Sequence, residues 1–284
     1  MMFISVPVQG GEITGIFAYL QAVLELEPHL ILLALAIGLV TGFINTLAGS
    51  GSLVTLPFLL FLGLPADVAN GTNRVSILAA AIVGAVTLRK ETQMSLEGAW
   101  HYVLPAVLGA IAGVLLAVNI EPDVMETVIG IVIGIMLIPL LLNPKRWLRE
   151  VQGKTNPKLK PFIIAFFVAT GFYGGFIQAG SGIFYLVVFV LLANYTLPQA
   201  NVLKNIIIAA YSLPVLIIFA YYGQVDWAIG GIMAVGQSTG AWIAGRFAGR
   251  SKTAAIWIHR LLIVMVSASV LKLFGAFDWL LAQF

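Results

Sequence analysis

The chain has 284 residues, 60% of them hydrophobic and 10% charged, with a formal net charge of +3 and no cysteine. Roughly a quarter of the residues of a soluble domain are charged, so this composition, with a mean hydropathy of +1.02, excludes an ordinary soluble protein and predicts a polytopic membrane protein. The missing cysteine excludes disulfides, thiolate metal sites and sulfur relay between thiols. Lys and Arg gather in a few loops, so the basic balance needs no nucleic acid to explain it.

Residues 1–29 hold no Lys or Arg but carry Glu12, Glu25 and Glu27. Without a basic n-region they do not read as a cleaved signal peptide, and they are expected to form an outside-facing arm. Apolar segments follow at about 30–48, 52–63, 73–88, 99–119 and 124–142. A polar linker occupies 143–160, and five further segments lie at about 161–179, 183–193, 202–222, 227–247 and 254–275. A span needs about 20 apolar residues, so 52–63 and 183–193 are too short to cross straight.

The second half restates the first. Gly49-Ser50-Gly51 lies 131 residues before Gly180-Ser181-Gly182, and the same offset sets Ala69-Asn70 on Ala200-Asn201, Gln93 on Gln224 and Gly109-Ala110 on Gly240-Ala241. The expected domains are therefore a first transmembrane repeat over 30–142 and a second over 161–284. Loop charge sets orientation. The linker carries Lys145, Arg146, Arg149, Lys154, Lys158 and Lys160 against Glu150, the 88–97 loop has Arg89 and Lys90, and the 246–260 region has Arg246, Arg250, Lys252 and Arg260, so all three are expected inside. Loops 120–126 and 222–227 contain only acidic charges and are expected outside. Matching loops thus fall on opposite faces. The expected fold is all-α, with two inverted repeats of about five helical segments each, broken or short helices at their interface, and both termini outside. Re-entrant hairpins with fewer full crossings fit the same pattern.

Short, Gly-interrupted segments at matching positions of two halves point to a transporter binding site. At the triplets Gly49, Ser50, Gly51 and Gly180, Ser181, Gly182, an interrupted helix leaves amides free for an anion; tight small-residue helix crossing is the other use of such a pattern. The two triplets are expected to meet around one polar cavity. Arg74 and Lys204 sit at near-equivalent repeat positions beside apolar runs, where a cation costs about 2.5–3.5 kcal/mol. No acidic residue lies within the apolar segments beyond Glu126 at the edge of one, which suggests that the counter-charge is the substrate; snorkelling to the interface is the alternative. On that view Lys204→Met abolishes anion binding and leaves folding intact. Asn45, Thr72, Asn73, Gln178, Asn205 and Gln237 complete the substrate-binding set, with Asn70, Asn201 and Ser238 as further polar support. Amides and hydroxyls of this kind also serve as helix–helix glue. The sequence holds no catalytic constellation, metal-ligand pattern or cofactor motif.

The entry GFINTLAGSGS, the stretch GLPADVANGTNR and the later YYGQVDWAIGGIMAVGQSTGAWIAGR resemble the TauE/SafE sulfite exporter family, over most of residues 30–275. The resemblance implies an inner-membrane carrier of small, often sulfur-containing anions. The family's second motif is often Gly-Thr-Ser; Thr72-Asn73-Arg74 and Leu203-Lys204-Asn205 depart from it and add positive charge. The function expected is secondary export of a small oxyanion, sulfite or an organosulfonate, by alternating access, with no enzyme activity. The rivals are an anion channel built on the same site and a membrane-embedded enzyme or assembly subunit. The expected partners are the anion and the lipid bilayer, with no nucleic acid, and a homodimer is allowed for.

Overall fold

The computed structural model describes residues 27–141 and 161–247, all of it helix, turn or connecting loop. The expected arm (but for its last three residues), the linker, the segment at 254–275 and both termini lie outside the described residues. Helix α1 is Pro28–Ala48, α2 Ser52–Phe61, α3 Ala66–Thr92, α4 Trp100–Ala117 and α5 Pro122–Leu141. Then come α6 Pro161–Phe176, α7 Ser181–Val187 with a π-helical turn over Val188–Leu192, α8 Leu197–Tyr221 and α9 Trp227–Phe247. Among the described residues, α1, α3, α4 and α8 are long and apolar enough to cross a membrane. At 1.5 Å per residue, α2 reaches only about 15 Å, half of a hydrocarbon core.

The local chemistry explains the boundaries. Proline at Pro28 opens α1, where a missing amide hydrogen costs nothing. At its other end Gly49 adopts φ 72° and its N–H donates to Asn45 O at 2.9 Å, closing the helix with a left-handed cap. Thr196 and Gln199 form a capping box at the start of α8. Two boundaries differ from the apolar runs. Helix α3 starts at Ala66 rather than near 73, and α8 at Leu197 rather than near 202. The polar stretches Asn70–Arg74 and Asn201–Asn205 are thus helical and buried. Counting apolar residues leaves 66–72 and 197–201 outside the spans; inside the bundle Asn70 and Asn201 find partners, so each helix starts earlier.

Packing exchanges the two halves of the sequence. The first helix of one half packs on the fourth of the other, as α1 on α9 and α6 on α4, while α3 and α8 pack on each other. The first two pairings are small-residue crossings: a Cβ at Gly42 would lie 2.5 Å from Gln237 Cα, and one at Gly175 would lie 2.6 Å from Ala110 Cα. Backbones this close gain dispersion contact that lipid cannot supply. Helices α3 and α8 run antiparallel, since Gly71 meets Phe219 and Gly84 meets Asn205. Helices α3 and α9 run parallel, with Gly230 against Thr72 and Val75, and Gly245 against Thr87.

Candidate functional site

Both helix breaks lie at one place. A Cβ on Gly49 would come within 2.5 Å of Gly182 Cα, so at this point the two triplets touch backbone to backbone. Only glycine permits that approach, and Gly49 and Gly180 both hold φ 72°. The cavity expected between the triplets is closed at this contact. Gly51 packs on Thr41 O and on Asn45 Cβ, the latter 2.7 Å from where its own Cβ would stand. Ser181 Oγ lies 3.2 Å from the Tyr211 hydroxyl.

A helix that stops inside a membrane leaves its last carbonyls without partners. Here each broken helix is capped from the opposite half. Lys204 of α8 donates to Asn45 O at 2.7 Å and Thr46 O at 2.8 Å, at the end of α1, and to Asn201 Oδ1 at 2.8 Å. Arg74 of α3 donates to Gly174 O and to Gly175 O at 3.2 Å, at the end of α6, and also to Gln178 Oε1 and to Asn70 Oδ1 at 2.9 Å. Asn70 Nδ2 reaches Phe176 O at 2.7 Å, and Asn205 Nδ2 reaches Asn201 O at 2.8 Å. The Arg74 guanidinium also lies 5.5 Å from the Phe219 ring centroid. Both cations are fully buried. The absence of nearby acid in the sequence makes them look unpartnered, yet carbonyls and amides hold them, and a helix C-terminus favours a cation electrostatically.

Several buried polar atoms near this junction have no partner: Ser50 Oγ, Asn73 Nδ2, Arg74 Nε, Tyr185 OH and Asn205 Oδ1. Asn73 accepts from Thr55 Oγ1 at 2.8 Å, which ties it to α2 one turn from the break. Two members of the expected set serve elsewhere. Thr72 Oγ1 accepts from the Asp226 amide at 2.8 Å and so pins the start of α9 to α3. Gln237 presents its backbone to Gly42 in the α1–α9 crossing. Asn70 and Asn201, expected only as polar support, share the 131-residue offset and each bind a cation, while Tyr211 is an aromatic residue that no sequence pattern singles out.

The family described as sulfite exporter TauE/SafE matches residues 34–273. A probable membrane transporter protein of Haemophilus influenzae is 26% identical over 77% of this chain and 85% of its own length. The probable membrane transporter protein ORF9 of a Sinorhizobium species is 26% identical over 87% of this chain and 93% of its own. The probable membrane transporter protein YfcA of Escherichia coli is 28% identical over 78% of this chain and 81% of its own. No solved structure matches significantly.

Proposed function

The chain belongs to the TauE/SafE sulfite exporter family, and from that premise we propose that it is a secondary transporter exporting a small oxyanion, sulfite or an organosulfonate, across an inner membrane by alternating access. The names of the relatives, probable membrane transporters, support transport. One observation carries the anion reading: two fully buried cations, Arg74 and Lys204, meet no buried carboxylate among the described residues. Each capped helix C-terminus offsets about half a charge, so about one positive charge or more is left over in a low-dielectric core. A bound anion removes it.

In this reading the anion meets neutral donors together with one edge of the Arg74 guanidinium. Ser50 Oγ, Asn73 Nδ2 and Arg74 Nε are buried donors with capacity to spare, and the amides around Gly51 add the positive end of α2. Gly49, Gly180, Ser181 and Gly182 shape the junction, while Asn45, Gln178, Lys204 and Asn205 hold it from behind. Thr72 and Gln237 act at its periphery. The exchanged packing and the antiparallel α3 and α8 support two inverted repeats. Loop charge supports a cytoplasmic linker and outside termini.

Proteoliposomes loaded with radiolabelled sulfite test this. Saturable efflux, accelerated by sulfite or a sulfonate on the opposite side, is the expected outcome. Non-saturable flux with resolvable single-channel currents sinks the carrier reading.

A further inference from the structure

The flank where α3 and α9 run parallel to their ends carries a groove of about 330 Å³ that the anion pathway does not use. Its wall is apolar along Ile82 and Val86, and its end is cationic, with Lys90 from α3 and Arg246 from α9. All four side chains are exposed. The Arg246 guanidinium lies 4.7 Å from the Trp242 ring centroid, a cation–π contact that holds it beside the groove. Neither cation forms an ion pair among the described residues, although Glu91 also lines the groove. The floor is rigid, because a Cβ on Gly245 would lie only 2.6 Å from Thr87 Cγ2, so the two helices are locked together there.

An apolar channel that ends in two cations, one braced by tryptophan, suits a molecule with an acyl chain and a negative head. Free phosphate has no use for Ile82 and Val86, and a neutral lipid has none for the charges. The head end carries a net +1 from Lys90, Arg246 and Glu91, which complements a headgroup of one net negative charge. Loop charge puts the ends of α3 and α9 on the cytoplasmic side, where basic pockets between helices meet lipid headgroups. We propose that this groove binds one anionic phospholipid, its phosphate between Lys90 and Arg246 and an acyl chain along Ile82 and Val86.

Native mass spectrometry of the full chain, released from detergent after incubation with equal amounts of phosphatidylglycerol, phosphatidylethanolamine and phosphatidylcholine, reads this directly. Wild type should retain phosphatidylglycerol in preference to the other two. The double variant K90Q/R246Q should lose that preference by about thirtyfold, about fivefold for each basic residue removed. The swap K90R/R246K should restore most of it. Val86→Trp keeps both charges but fills the acyl path, so it should lower phosphatidylglycerol retention too, and it decides alone should the double variant fail to fold. Millimolar inorganic phosphate should not displace the lipid. Undiminished phosphatidylglycerol retention in the charge variant or in Val86→Trp overturns the site, as does equal retention of phosphatidylethanolamine or displacement by phosphate alone.

Discussion

The two helix ends at the junction perform the same task with different chemistry. At the end of α1 the Lys204 ammonium spends all three of its donors, on Asn45 O, Thr46 O and Asn201 Oδ1. At the end of α6 the Arg74 guanidinium makes four hydrogen bonds from its two terminal nitrogens, and its Nε–H has no partner. A saturated cation holds structure. One with a donor in reserve also has something to offer a ligand. The near-equivalence of the two positions in sequence, one residue off the repeat offset, therefore hides an asymmetry: the Lys204 side fixes the junction, and the Arg74 side, with Asn73 beside it in the chain, is where we place the anion.

The largest expected effect comes from removing the contact that both ends share. Gly182→Ala puts a methyl group into Gly49 backbone that cannot give way, and we expect no monodisperse protein in size-exclusion chromatography. Recovery of a folded, transport-active Gly182→Ala protein would show that the breaks do not meet as described. Lys204→Met comes next. It leaves Asn201 Oδ1 without a partner and takes one donor each from Asn45 O and Thr46 O, which keep the Gly49 amide at 2.9 Å and Asn205 Nδ2 at 3.4 Å. At about 1–3 kcal/mol for the stranded acceptor and about 1 kcal/mol for each other bond lost, the melting temperature in detergent should fall by several degrees. This reverses the outcome expected of an unpartnered ammonium, and an unchanged or raised melting temperature would restore that view.

Arg74→Lys sharpens the comparison. It keeps the charge but loses the planar fork, so it should cost about 2 kcal/mol of stability and weaken the sulfite-induced thermal shift more than Lys204→Arg does. Equal weakening by the two would remove the asymmetry. The smallest effect on folding is expected at Ser50→Ala, since the hydroxyl it deletes has no partner. Stability should stay within about 0.5 kcal/mol, while sulfite binding measured by calorimetry should weaken several-fold. Wild-type affinity in Ser50→Ala would take that hydroxyl out of the site.

Much of this arrangement is legible in the chain. Composition demands a membrane, and the 131-residue offset pairs the two breaks, Asn70 with Asn201, and Gly109 with Gly240, before any coordinate is known. The short helices follow from counting residues against bilayer thickness. Helix starts at α3 and α8 are less legible, because 66–72 and 197–201 fall outside the apolar runs until the bundle supplies partners for Asn70 and Asn201. The role of Thr72 was hidden for the same reason: its acceptor is matched by the Asp226 amide, 154 residues away.

The sequence by itself determines that two cations enter an apolar core with no carboxylate beside them, since charge and hydropathy are properties of residues and add along the chain. What those cations touch is decided only in three dimensions. A helix C-terminus becomes an acceptor when its last carbonyls are left open. Whether Lys204 or Arg74 reaches them depends on α8 and α3 each crossing to the broken helix of the other half. Hydrogen bonds saturate at short range and in fixed directions, so the partners of a charge, and the donor that Arg74 keeps in reserve, are settled by packing rather than by pattern.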